Sequence, residues 1–443
     1  MWSIHDCYDL EALNIPTAAV VCTGFEPIAV SESQRLGMPA LGWAVVPYPL
    51  AGLAPAEREV KAQAAYPALV NLISQERSNG GAPRAAHDAA AQQKTIRLAG
   101  DSVNEVLERL SATLNKLRWS DGLPLVPPTR EAVDEMLRGT SLPPQHVVAR
   151  LYPNEGKATV EKIAINAVMA GCRPDYMPVL IAAVKGIATP CFNQEQTLVS
   201  TGSFFPTVLV NGPIAGKLDI NSGRGLFGPG WRANAAIGRA IRLIIINIGG
   251  SWPDINDMGV MGHPGKYTCC IAENERASPW PSLAQELGYA KEASTVTMVP
   301  GLFLGYFSTV GGSKPEDVLQ PLCEQLCSAG TTSAFASWTE TLVVLNPVHA
   351  QMLKDMGMTK EEIRRYVYEN TRFPTETYHR MKRLIVEERP DDRANTISTW
   401  PGSTVSMHAS PDQIRVIVGG AEGTQGAFIR MFLGLMATHE IQA

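Results

Sequence analysis

The stretch Pro16-Thr-Ala-Ala-Val-Val-Cys-Thr-Gly24 decides the fold class. Residues 16–22 read as a buried strand, and Thr23-Gly24 ends it in a loop. A helix over residues 4–12 precedes it, with Ile4, Tyr8, Leu10 and Leu13 expected inward. A second helix follows to Leu36. Leu41–Val46 reads as a second strand, broken by Pro47-Tyr-Pro49. A third helix, 55–75, is expected to turn Val60, Ala64, Leu69 and Leu72 inward. Helix alternating with buried strand is the pattern of an α/β fold with a parallel sheet. Two parallel strands bury too little to stand alone. The pattern therefore calls for another chain, or for residues upstream of Met1, to complete residues 1–75.

Beyond this front unit, residues 76–94 are rich in Gly, Ser, Asn, Ala and Gln and read as a linker. A larger mixed α/β domain, 95–443, follows. Its expected helices include 101–117, 130–137 (capped by Thr129), 159–170, 175–187, 231–247, 315–328, 348–356 and 359–369. Its expected strands include 146–152, 205–210, 267–272, 295–300, 341–345 and 414–418. After the last strand, the glycine-rich run 419–426 and a helix suggest a strand–glycine–helix unit.

The chain has 443 residues, 45% hydrophobic and 18% charged, with net charge -5. An acidic balance argues against nucleic acid as a bulk partner. No apolar run approaches the length of a membrane span. Met-Trp-Ser-Ile-His-Asp lacks the basic start and apolar core of a signal peptide, so the expected location is the cytoplasm. The eight cysteines include no CxxC pair. Cys323 and Cys327 share a helix face, and burial explains them better than a metal. Gly-x-Ser-x-Gly, Walker and HExxH motifs are absent. No metal is expected, and no cofactor is named by the sequence.

Three constellations could carry chemistry. The first is Asn221-Ser-Gly-Arg-Gly-Leu-Phe-Gly-Pro-Gly-Trp-Arg232, where Gly223, Gly225 and Gly228 match the spacing of a dinucleotide loop. Residues 214–220 are not a clean strand and Gly228-Pro-Gly230 suits helix packing poorly. The loop therefore reads as an anion cradle, with Arg232 and Arg239 adding charge at a helix start, or as a structural loop. The second is Cys172-Arg173-Pro174, a thiol at a helix start beside a guanidinium. Its pKa is expected to be lowered, the alternative being a packing cysteine. The third joins Gly262-His-Pro-Gly-Lys-Tyr267 to Glu273-Asn-Glu275 across a short strand. Here His263 and Glu273 are candidates to move protons, and Lys266 and Asn274 to bind substrate. Asp121 reads as a turn residue or a site residue. Asn166, in a helix among alanines, invites a backbone partner, and Asn346 caps a helix.

The runs Trp119-Ser-Asp-Gly-Leu-Pro-Leu-Val-Pro-Pro-Thr129, Ala164-Ile-Asn-Ala-Val-Met-Ala-Gly-Cys-Arg-Pro-Asp-Tyr-Met-Pro-Val179 and Gly262-His-Pro-Gly-Lys-Tyr267 with Glu273-Asn-Glu275 resemble the large partner of the UGSC family of (seleno)proteins. Trp2-Ser-Ile-His-Asp6, Leu10-Glu11 and Ile15-Pro-Thr17 resemble the small UGSC domain itself. The resemblance implies a small UGSC-type domain fused to the large associated one. The family is named for Sec/Cys-Gly-Ser-Cys, a thioredoxin-like redox motif that sits just upstream of the Trp-Ser-x-His-Asp helix. That motif is not in this sequence, and Val46-Pro-Tyr-Pro49 stands where the family has Val-Pro-His-Pro. Both departures weigh against independent redox catalysis by the front unit.

The resemblance implies an enzyme class and no substrate. Together with the constellations above, the expectation is an oxidoreductase-like enzyme with thiol-dependent redox or carbon–heteroatom chemistry on a small anionic organic substrate, the anion held by the glycine loop and Arg232. The expected roles are Cys172 (with Arg173) as thiol, His263 and Glu273 as proton carriers, and Gly223, Gly225, Gly228, Arg232, Lys266 and Asn274 as substrate binders. One alternative is a lyase or hydratase using His263, Lys266 and Glu273 without a redox step. The other is a subunit whose front unit docks on a Cys-bearing partner.

Overall fold

The structure, a computed structural model, describes residues 2–50, 53–74, 95–309, 312–329, 340–374, 376 and 404–442. The expected linker, 76–94, lies outside them. The front unit runs α1 (Trp2–Ala12), β1 (Ala19–Cys22), α2 (Glu26–Arg35), β2 (Trp43–Val46) and α3 (Pro55–Ser74). The two strands are parallel, with Ala19 opposite Trp43 and Cys22 opposite Val46. The expected α/β class and parallel front sheet are therefore present. Ile4, Cys7, Ala19, Val21, Ala29 and Leu41 form one small core, and Ala44, Val46 and Ala65 another. The expected inward set is partly corrected: Leu10, Leu13, Val60 and Ala64 are exposed. α1 packs through Ile4 and Cys7, and Ala65 is the buried residue of α3, so those four side chains have no layer to enter.

The larger unit opens with α4 (Val103–Lys116), α5 (Arg130–Leu137), the hairpin β3 (Val147–Leu151) and β4 (Gly156–Thr159), then α6 (Val160–Ala170), α7 (Met177–Ala188) and the short α8 (Gln194–Thr197). It continues with β5 (Phe205–Asn211), α9 (Pro213–Lys217), α10 (Arg232–Ile244), β6 (Cys270–Ala272), α11 (Leu283–Glu286), β7 (Thr295–Ser308) and α12 (Pro315–Ala329). β8 (Thr341–Leu345), α13 (Pro347–Asp355), α14 (Lys360–Asn370), β9 (Arg372–Pro374), β10 (Thr404–Ser406), β11 (Ile414–Val418), β12 (Gln425–Met431) and β13 (Ala437–Glu440) complete it.

Seven strands form one curled mixed sheet in the order β11-β8-β12-β7-β5-β6, with β13 on the far half of β7. Its β5 is buried at every position. One face of the sheet, with Phe205, Leu209, Ile271, Val344, Ile417 and Ile429, packs on itself and on Leu226. The other face is covered by α6, α7 and α10 on the β5 side and by α12, α13 and α14 on the β8 side. In α10, Ile237, Ile241, Leu243 and Ile244 have no exposed surface, each burial contributing about 1.5–3 kcal/mol.

Two expectations about glycine-rich segments change. Residues 425–431 form β12, antiparallel to both β7 and β8, where a helix was expected. An apolar run buried on both sides carries no period that separates helix from strand. The expected strand–glycine–helix unit is thus a strand–turn–strand. In addition, the expected strand 267–272 shrinks to Cys270–Ala272, because Pro264–Lys266 forms a single 3₁₀ turn.

α2 docks the front unit on the larger one. Ile28 packs with Tyr152 and Val199, flanked by Phe25 and Met258. Glu32, fully buried, bonds His5 at 2.9 Å and Arg35 at 3.1 Å. Burial pushes the Glu32 carboxyl up, but His5 and Arg35 outweigh that and hold it below the usual value. The Arg35 guanidinium lies over the Tyr152 ring, 5.3 Å from its centre. Asn256 donates to the Ser31 hydroxyl at 2.8 Å.

Candidate functional site

α10 does not stop cleanly. It runs into a π-helical turn, Ile245–Gly249, and Gly250 then reverses the chain at φ +82°. A Cβ on Gly250 would lie 2.0 Å from the Asn154 side-chain amide, and with the positive φ this makes glycine the favoured residue here. The chain leaves into an irregular loop, 251–267, that wraps back over the C-terminal half of α10. Between loop and helix lies a cavity of about 710 Å³, lined among others by Asp121, Arg242, Asp254, Asp257, His263 and Lys266. That volume suits a small organic ligand.

Three charges form the cavity floor. Lys266 Nζ lies 2.6 and 2.8 Å from the two oxygens of Asp257, and Arg242 Nη2 donates to the same carboxylate at 3.0 Å. Two cations share one anion, so the floor carries a net positive charge. All three side chains are largely shielded from water, their exposures being 14%, 8% and 5% for Lys266, Arg242 and Asp257. Burial pulls the Lys266 ammonium below its usual pKa, and Asp257 only partly offsets this.

His263 stands beside this floor. Its Nδ1 accepts the Gly265 backbone N–H at 2.9 Å, and its ring stacks on Phe205 at 4.0 Å with an interplanar angle of 9°. An N–H can donate only to an unprotonated nitrogen, so the neutral ring carries its proton on Nε2. Burial, then the nearby Lys266 charge, lower the His263 pKa and keep the ring neutral. Asp121, also part of the cavity lining, is held by Arg239 through bonds of 2.7 and 2.9 Å and accepts the Leu123 N–H. It is at once the expected turn residue and a cavity residue. Asp254 lines the mouth, exposed, at φ 64°.

The other expected residues sit elsewhere. Glu273 lies past β6, at the end away from Lys266. Its Oε2 accepts from Asn211 at 2.7 Å and from the Leu283 N–H at 2.8 Å, with Lys360 3.7 Å from Oε1. Burial raises its pKa. Asn274 ties two loops together: its N–H donates to the Val418 carbonyl at 2.7 Å, and its amide to that of Gly420 at 3.3 Å. In the same seam, Gly420 N–H reaches the Ser222 carbonyl at 2.9 Å. The loop bearing Gly223, Gly225 and Gly228 thus bridges β6 to β11. Its Leu226 fills the space a Cβ on Gly419 would need, 2.8 Å away.

Arg232 does not point into that loop. Its Nε and Nη2 donate to the Gly171 carbonyl at 3.1 and 2.9 Å. This places Cys172 and Arg232 together, about 15 Å from Arg242 along α10. Arg239, expected near the loop, pairs with Asp121 instead. Cys172 is buried and its thiol donates to the Ala236 carbonyl at 3.3 Å. Burial pushes the thiol up, and Arg232 offsets little of it. The expected lowering of its pKa does not occur, because desolvation outweighs the guanidinium. Arg173 pairs with Asp175 at 2.8 Å and lies over Tyr176.

Sequence reasoning missed Arg242, Asp257 and Asp254. Arg242 gave a usable signal: a lone charge inside Ala240-Ile-Arg-Leu-Ile-Ile245 must find a partner once that helix is buried. Asp257 gave none, being one of several polar residues in a loop. Asn166 has the expected backbone bond, to Lys162, and a second from Asn247 in the π turn at 2.6 Å. Asn346 caps α13 as expected. Among the described residues, no group of three or more His, Cys, Asp or Glu could hold a metal ion, and no helix is long and apolar enough to cross a membrane.

No curated protein and no solved structure matches the chain. A family model described as the UGSC family matches residues 1–75, so it is the front unit, α1 through α3, that carries the likeness to the UGSC family.

Proposed function

We propose that the cavity between α10 and the 251–267 loop is an active site for non-redox acid–base chemistry, of lyase or hydratase type, on a small organic anion. The observation that carries this is the shared Asp257 carboxylate. It fixes Lys266 and Arg242 in place yet leaves one positive charge over at the cavity floor. A substrate carboxylate supplies the missing negative charge.

Such reactions begin with removal of a proton from the carbon beside a carbonyl. Lys266 would hold the carboxylate. The His263 Nε2–H would donate a hydrogen bond to the carbonyl oxygen and stabilise the enolate as charge develops there. A neutral imidazole suits that part, since it donates without surrendering its proton. Among the described carboxylates lining the cavity, Asp121 and Asp257 are ion-paired and Asp254 is not, so Asp254 takes the part of the base. The C–H bond breaks, its proton passes to Asp254, and the electron pair moves onto the oxygen. The thiol-dependent reading places the work on Cys172, whose buried, protonated sulfur makes it the weaker of the two.

Proton exchange tests this without knowledge of the product. In D₂O, the full chain should exchange the α-hydrogen of some members of a panel of three- to five-carbon keto and hydroxy acids, read by proton NMR. His263→Gln and Asp254→Asn should abolish exchange, and Cys172→Ser should retain it. Exchange lost in Cys172→Ser and kept in the other two would overturn the proposal.

A second reading, a subunit completed by a partner, is favoured by one observation. Val20 and Val45, on the outward face of the two-stranded front sheet, are 40% and 48% exposed. Light scattering at micromolar concentration would show a complex if this reading holds, and a lone monomer would remove it.

A further inference from the structure

Arg430 is the largest fully buried side chain among the described residues, with 1% of its surface exposed. It sits on β12 opposite Thr341 of β8. It faces the same side of the sheet as Phe428, whose neighbours there are apolar. Among the described residues no carboxylate pairs with it. Its one hydrogen bond is a long one, from Nη2 to the Met407 carbonyl at 3.5 Å, and both Nε and Nη1 are buried without a partner. A second orphan lies in the same shell. His408 is 2% exposed, its Nε2 is 2.8 Å from the Thr341 hydroxyl, and its Nδ1 has no partner.

Every other strongly buried cation described above has an anion. Arg242 and Lys266 have Asp257, and Lys360 has Glu286 at 3.0 Å. Arg430 cannot escape by losing its proton: burial brings it down only to about 10, still above neutral pH. His408, pushed well below the usual imidazole range, is neutral and offers no countercharge. A guanidinium kept charged, dry and unpaired is among the least favourable arrangements in a protein interior.

We propose that Arg430, with His408 and Thr341 beside it, is a buried binding site for one compact anion, a small carboxylate or a halide, which supplies the countercharge that the β12 face lacks. The site belongs to the β8 side of the sheet and is separate from the cavity at α10. It would act on stability, making the fold depend on a small anion.

Thermal unfolding of the full chain tests this, with sodium formate or sodium chloride compared against a bulky sulfonate (MES) at equal ionic strength. Wild type should melt at least about 2 °C higher in the small anion. Lys266→Met, which disables the other anion site, should keep that rise. Arg430→Met should lose it. Equal melting in all three salts, or an unchanged rise in Arg430→Met, would overturn the proposal. Should Arg430→Met fail to fold, the Lys266→Met protein is equilibrated in formate, gel-filtered and denatured, and its formate counted by ion chromatography. About one formate per chain supports the site, and none overturns it.

Discussion

Lys266 and Arg242 share one carboxylate, that of Asp257: the ammonium lies 2.6 and 2.8 Å from its two oxygens and the guanidinium 3.0 Å from Oδ2. The loop carrying Asp257 and Lys266 is thereby fastened to α10, and the charge left over faces the cavity. On either side of Asp257, Asn256 donates to Ser31 of α2 and Met258 packs against the cluster that contains Ile28, Tyr152 and Val199. The front unit therefore helps to hold the carboxylate that organises the site.

Replacing Asp257 by Asn should be strongly destabilising. It leaves two cations close together and largely dry, and breaking a buried pair in this way costs about 3–5 kcal/mol. Urea unfolding of the variant should show a midpoint lowered in proportion. A change within about 0.5 kcal/mol of wild type would mean that the triad is solvated.

Stability should fall on mild acidification. His263, His349 and His408 all have pKa values lowered by burial from the ordinary 6.5. Below about 6.5 the unfolded imidazoles take up protons that the folded ones resist, so the unfolded state binds more protons and gains on the native state. The stability present above pH 6.5 is lost as pH falls toward the lowered folded values. Urea midpoints at pH 7.5, 6.5 and 5.5 should decrease in that order, and less steeply in His408→Asn. A midpoint that rises toward pH 5.5 would contradict this.

Cys172 should resist alkylation. Its thiol is buried, bonded to the Ala236 carbonyl and held protonated by desolvation, whereas Cys191 is exposed. Iodoacetamide at pH 8, followed by peptide mass spectrometry, should label Cys191 long before Cys172. Rapid labelling of Cys172 in the native protein would restore the thiol-dependent reading.

Gly238 lies where α10 crosses the chain just before β6. An added Cβ would meet the Thr268 hydroxyl at 2.4 Å and the Cys269 nitrogen at 2.6 Å. Gly238→Ala should destabilise by about 1–3 kcal/mol through overpacking, despite alanine's better helix propensity. A variant as stable as wild type in urea would show that the crossing can open freely.

The sequence made the elements legible more readily than the site. Short buried runs such as Ala19–Cys22 and Thr341–Leu345 stood between clear turn residues and were read as strands. Gln425–Met431 was not, because a central strand buried on both faces has no alternation. The candidate residues divided in a similar way. His263 and Lys266 were found because they share one short motif and are brought together by one turn. Cys172 was read through its neighbour Arg173, which in space turns to Asp175. Glu273 was read through the short strand that joins it to the His263 cluster, and in space it faces Asn211, Leu283 and Lys360 instead. What burial does to a thiol, and which loop carboxylate meets Arg242, depend on contacts across 15 residues or more, and no local pattern encodes them.

Calorimetric titration of the chain with three- to five-carbon keto and hydroxy acids tests the central claim most directly. At least one acid should bind to wild type and to Arg430→Met alike. Lys266→Met, a neutral side chain of similar length, should weaken binding by about tenfold or more, as loss of a charge-assisted hydrogen bond requires. Binding of equal strength in wild type and Lys266→Met would contradict the assignment of the cavity floor as the anion site.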